Sequence, residues 1–228
     1  MVNYSSFDIL GPIMIGPSSS HTAGAARLGK VARYIAGDNF NKVKFFLHGS
    51  FAKTYKGHGT DKALAAGVLG MEPFDDNLPK SLDIAKDLGY DFIFYETELE
   101  YEHPNTAKIV FTENNNEISV TGSSIGGGSI VITNIDGYDV NLTGEYPTIF
   151  IRHNDKKGII SEVTTVLAGF EINVAKMQVN RKNKGKFASM VIETDDSLPK
   201  SMLALLKGLE DVLTVRAINP VKEGDINV

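Results

Sequence analysis

The chain has 228 residues, 42% hydrophobic and 22% charged, the balance of a folded protein with room for one large domain or two small ones. A net charge of −5 without a basic run argues against a nucleic-acid partner, and no apolar stretch reaches the length of a bilayer span. Cysteine is absent, which excludes disulfides, thiolate nucleophiles and cysteine-ligated metal clusters built by this chain alone.

The N-terminal MVNYSSFDIL lacks a basic segment followed by an apolar run, so the expected compartment is the cytoplasm. GPSSSHTAG, from Gly16 to Gly24, reads as a polar loop. It leads into a helix on which Leu28, Val31, Ala32 and Ile35 recur at helical spacing, with Gly37 as its stop. VKFFLHGS reads as a buried strand closed by His48-Gly49-Ser50, and YKGHGTD as a loop. DKALAAGVLG and KSLDIAKDLG read as helices. DFIFYETEL, AKIVFTE, EISVTG and SIVITNI read as strands, with ENNNE as a turn and Gly126-Gly127-Gly128 before the last of them.

The pattern restarts after GEYP, where Pro147 acts as the breaker. TIFIRHN is a strand, and the next helix places Ile159, Ile160, Val163 and Leu167 on one face. INVAKMQVNR and GKFASMVIET are strands around a KNKG turn. LPKSMLALLKGLE places Met202, Leu205, Leu206 and Leu209 on one helical face before the strand VLTVRAI. This βαββαβ order predicts a ferredoxin-like unit of about seventy residues. The expected fold class is α/β (α+β), with domains at 1–145 and 148–222.

Four of the five histidines precede the linker, in polar or glycine-rich settings: SSSHT, HGS, GHGTD and EHPNTA. Taken singly, each suits a turn or a cap; together they point to a site for a small, polar, anionic ligand. The segment after GPSSSHTAG supplies a helix N-terminus, whose free N–H groups attract carboxylates. His48, at a strand end, suits a structural hydrogen bond to backbone. No GxSxG, GxxxxGK[ST] or GxGxxG motif occurs, and no HxH or HxxxH pair gives metal-ligand spacing.

GPSSSHTAG, YKGHGTD, HPNTA and SIGGGS, in that order, resemble the beta subunit of bacterial iron–sulfur-dependent L-serine dehydratases of the two-chain type, and the resemblance covers essentially the whole chain. It implies a lyase that converts L-serine to pyruvate and ammonia through aminoacrylate, without pyridoxal phosphate. A [4Fe–4S] cluster with one iron not bound by cysteine would act as Lewis acid on the serine hydroxyl. Because clusters are held by thiolates and this chain has none, an alpha subunit would supply the ligands, with no metal ligand in this chain.

The resemblance makes His58 the candidate for proton transfer. His103, with Asn105, is either a second acid/base or a substrate holder. Ser18, Ser19, Ser20, His21 and Thr22 would hold the serine carboxylate and ammonium. The C-terminal part resembles an ACT domain, which implies self-association and a ligand at Asn154, Asp155, Gly158 and Asn173. Lys156 and Lys157 depart from the usual turn there, leaving amino-acid binding and simple dimerisation as alternatives. For the whole chain, the second reading is a non-catalytic amino-acid-sensing regulatory subunit.

Overall fold

The computed structural model describes residues 13–100, 102–114, 116–183 and 185–218. By its internal packing the chain divides into a first unit ending at Gly137 and a second beginning at Tyr138.

In the first unit a π-helical turn, Ser19–Gly24, runs straight into helix α1 (Ala25–Ala36). Strand β1 (Lys42–His48) follows, then α2 (Gly49–His58), α3 (Thr60–Val68) and α4 (Ser81–Asp87). Strands β2 (Asp91–Thr97), β3 (Thr106–Glu113), β4 (Asn116–Gly126) and β5 (Ser129–Ile135) complete it. The strand order is β2-β1-β3-β4-β5, with β1 and β2 parallel and the remaining pairs antiparallel.

The apolar positions of α1 fall on one stripe, and Leu28, Val31, Ala32 and Ile35 are buried as their spacing requires. Gly37, at φ +89°, ends the helix and donates its N–H to Arg33 O at 2.8 Å. On β1 the residues Val43, Phe45 and Leu47 alternate into the core, where Phe45 stacks on Phe94 at 4.5 Å. Helices α1 and α3 cross at backbone distance. A Cβ at Gly29 would overlap Leu64 O, and one at Gly67 would overlap Ala26 O. Gly122 serves the same end on β4, where Leu28 Cδ1 fills the space that a Cβ would need.

Two local expectations fail here. The SSSHT segment is not an open loop: the chain winds continuously from Ser19 into α1. YKGHGTD is not a loop either. Gly57 lies inside α2, and Gly59, at φ +70°, is the left-handed residue that joins α2 directly to α3. The two glycines read as breakers, but only one of them breaks.

The second unit opens with strand β6 (Tyr138–Leu142), unforeseen in the sequence although Tyr138, Val140 and Leu142 alternate inward. GEYP follows it. Then come β7 (Thr148–Asn154), α5 (Ile159–Gly169), β8 (Val174–Asn183), β9 (Phe187–Thr194), α6 (Lys200–Lys207) and β10 (Val212–Ile218). This is the expected βαββαβ order, in an antiparallel sheet arranged β10-β7-β9-β8. Ile149, Ile151, Ile159, Val163, Leu167, Met190, Ile192, Met202 and Leu206 form its core. The helix stripes are narrower than their sequences suggest. Ile160 and Leu205 stand 45% and 56% exposed, because each helix buries one face on a single sheet.

Candidate functional site

The SSSHT turn is built around its first serine. Ser18 is extended (φ −139°, ψ 122°), its hydroxyl accepts the His21 N–H at 3.3 Å, and its carbonyl accepts the Thr22 N–H at 2.8 Å. A π-helical turn is rarely kept without a use. Here it places His21 and Thr22 inward, 8% and 2% exposed, while Ser18, Ser19 and Ser20 remain half-buried. Gly24 lies so close to β4 that a Cβ would overlap Ser124 Oγ.

His21 is held at both ring nitrogens. Nδ1 lies 3.3 Å from Ser18 Oγ and Nε2 lies 3.1 Å from Ser50 Oγ. Its ring meets Phe51 edge-on at 5.3 Å and His58 at 4.9 Å, the two imidazoles inclined by 76°. Burial pushes its pKa below the ordinary histidine value, and the adjacent His58 pushes it further down. The neutral, basic form is therefore favoured. His58 is the last residue of α2 and is exposed.

The HPN turn joins this cluster through its backbone. Pro104 O accepts the N–H of Ser50 at 2.7 Å and of Phe51 at 3.4 Å, while Asn105 O accepts the Ser124 N–H at 2.9 Å. His103 is exposed, and its Nδ1 accepts the Asn105 N–H at 3.1 Å within the turn. His48 has the structural role expected of it, accepting the Leu99 N–H at Nδ1 (3.1 Å). Three hydroxyls around the cluster, on Thr22, Thr60 and Ser124, are buried without a hydrogen-bond partner among the described residues. The sequence reading singles out none of Ser50, Thr60 and Ser124 as a site residue, although they lie within HGS, YKGHGTD and SIGGGS. Ser50 stands two residues after His48 in HGS, and it joins the site through a contact twenty-nine positions away in sequence.

In the second unit a cleft of about 500 Å³ lies between the β7–α5 turn and the β8–β9 hairpin. Asp155, Lys156, Lys157, Arg181 and the buried His153 line it. Asp155 accepts from Gly185 N–H at 2.7 Å and pairs with Arg181 at 2.8 Å. Lys156 pairs with Asp211 at 2.7 Å, and Asn154 Nδ2 donates to the same carboxylate at 2.9 Å. Gly158, at φ +96°, precedes α5. Asn173 instead donates to Asp195 and does not line the cleft. The sequence reading passed over His153, whose Nδ1 faces Asn154 O at 2.7 Å while Nε2 has no partner among the described residues.

The Gly185 amide, then Arg181, hold the Asp155 carboxyl below its usual range; Lys156, then Asn154, do so for Asp211. A depressed carboxylate adds stability above its unfolded pKa and loses it as pH falls through the folded value. The melting-temperature difference between wild type and Asp211→Asn is therefore expected at neutral pH and should vanish on acidification well below about pH 4. A difference that grows toward acid would contradict the assignment.

No helix among the described residues is long and apolar enough to cross a membrane. The donor set does not fit an iron–sulfur cluster: the chain has no thiolate, and no group of three or more His, Asp or Glu side chains among the described residues could hold a metal ion.

Residues 5–86 match the family model for the serine dehydratase beta chain, and residues 147–211 match that for the ACT domain. The L-serine dehydratase beta chain of Peptoniphilus asaccharolyticus is 44% identical, over 96% of this chain and 99% of its own. The probable L-serine dehydratase beta chain of Bacillus subtilis is 46% identical, over 94% and 97%. Among solved structures, the ACT domain of a GTP pyrophosphokinase from Chlorobium tepidum is 25% identical, with a TM-score of 0.27 over 31% of this chain and 94% of that one. With its polar turns gathered in one unit and a βαββαβ domain after them, the chain belongs to the L-serine dehydratase beta-chain family.

Proposed function

We propose that the chain is the substrate-side subunit of a two-chain L-serine ammonia-lyase that makes pyruvate and ammonia. The observation that carries this reading is the pairing of His21 with His58 beside the hydroxyls of Ser18 and Ser50. Serine must lose its Cα proton, and imidazole suits that task near neutral pH. His58 is exposed and can reach a substrate, and the His21 ring is held in contact with it. In this reading His58 takes the Cα proton, while Ser18, Ser19, Ser20, His21 and Thr22 hold the carboxylate and ammonium. His103 and Asn105 flank them as a second acid/base or as substrate holders. The [4Fe–4S] cluster belongs to the alpha subunit, whose cysteines supply the thiolates this chain lacks.

The test is anaerobic. This chain alone, treated with iron and sulfide, is expected to stay colourless and to make no pyruvate. Co-expressed with a cysteine-bearing alpha subunit, it should give a brown complex that makes pyruvate from L-serine. Cluster absorbance on the isolated chain would contradict the assignment, as would pyruvate formation by the chain without a partner.

For the second unit we propose self-association, with a ligand at the cleft contacting Asp155 beside Asn154 and Gly158; Asn173, tied to Asp195, stands outside that cleft. Ile160 and Val179 support this, because both line the cleft and remain 45% and 41% exposed. Light scattering on the full chain should report twice the mass of one copy; a monomer at high concentration would count against pairing.

A further inference from the structure

Ser50 lies outside the SSSHT, GHGTD and HPN motifs, yet it touches two of them. Its backbone N–H donates to Pro104 O of the HPN turn at 2.7 Å, and its carbonyl accepts the Thr54 hydroxyl at 2.7 Å. Gly49 before it takes φ +57°, and a Cβ there would press on the Cα, C and O of Pro104. The backbone of Ser50 is thus tied at both ends, and its Oγ reaches His21 Nε2 at 3.1 Å. Ser18 Oγ faces the opposite nitrogen at 3.3 Å.

We propose that Ser50 is a positioning residue for the dehydratase reaction: it fixes the His21 ring against His58 and ties that ring to the HPN turn. The proposal rests on the placement of His21 in the substrate site. A hydroxyl is suited to this place because it both donates and accepts, so it holds Nε2 with or without a proton. The ring is buried, and an imidazole nitrogen without a partner there carries a desolvation penalty. Phe51 sets the ring edge-on but offers it no hydrogen bond. Ser50 supplies the polar contact that selects one rotation of the ring. The two hydroxyls grip opposite nitrogens, so removing one frees the ring to turn about the other.

The experiment compares Ser50→Ala and Ser50→Thr in two settings. In the isolated chain labelled with nitrogen-15 at histidine, Ser50→Ala should shift the His21 ring-nitrogen resonances, and Ser50→Thr should restore them. In the complex with the alpha subunit, Ser50→Ala should lower kcat about tenfold, the low end of what misplacement in a site costs, with KM nearly unchanged. Ser50→Thr should recover most of the loss. His21 resonances unmoved by Ser50→Ala would overturn the proposal whatever the activity. Shifted resonances with unchanged kcat would overturn its catalytic part. A His21→Ala complex with full activity would instead sink the reading of the site on which the proposal rests.

Discussion

Replacing His58 by alanine is expected to lower kcat of the assembled enzyme by about 10²–10⁴-fold, the usual worth of a general base. KM should move far less, because a base acts chiefly in the transition state. The geometry gives this asymmetry a cause. His58 is exposed at the end of α2, so its loss leaves no buried partner unsatisfied and no cavity in the core. Ser19→Ala should do the reverse, weakening serine binding with a smaller fall in turnover, since a hydroxyl on the carboxylate serves ground and transition states alike. Steady-state kinetics of both variants with a wild-type alpha subunit measure the split. Near-full turnover by the His58 variant, with loss in His21 or His103 variants, would move the base to another imidazole.

The second large effect is on stability. Gly67→Val is expected to destabilise the first unit by at least about 3 kcal/mol, enough to remove much of the margin of a typical domain. The added atoms would meet the carbonyl of Ala26 and the Lys30 amide nitrogen, which are α1 backbone and not a side chain that can swing aside. Because α1 continues the SSSHT turn, separating α1 from α3 would also displace His21. Gly57→Ala is the contrasting case. Its Cβ would meet nothing within 4 Å, inside a helix, so a gain of about 0.4–1 kcal/mol is expected. Thermal melts of the two variants should move in opposite directions; equal destabilisation would show that the crossing has no special role.

Much of the fold was legible because its signals are local. The alternation of Val43, Phe45 and Leu47, the Gly37 stop and the βαββαβ order after Pro147 all lie within one element or its edge. Helix α2 escaped because its apolar content is small: only Phe51 and Ala52 are buried, and Gly57 and His58 imitate a loop. Ile160 and Leu205 were misplaced because helical spacing fixes a stripe but not its width.

The site divides in the same way. Its motifs could be read one by one, and the structure brings His21 and His58 into ring contact and ties the HPN turn to them by backbone bonds. Ser50 and Ser124 lie in HGS and SIGGGS, but their part in the cluster was not readable, since each joins it across the fold. The same holds for His153, whose cleft depends on the β8–β9 hairpin lying beside the β7–α5 turn.

The most direct test of the central claim, that this chain supplies proton-transfer groups to a dehydratase site, is pyruvate formation by a complex carrying His21→Gln and His58→Gln together. The complex should assemble with the wild-type cluster spectrum, because the proposed cluster ligands are on the other chain, and its turnover per cluster should fall by at least the 10²–10⁴-fold expected of one base. Wild-type turnover by an assembled complex that lacks both imidazoles would contradict the account.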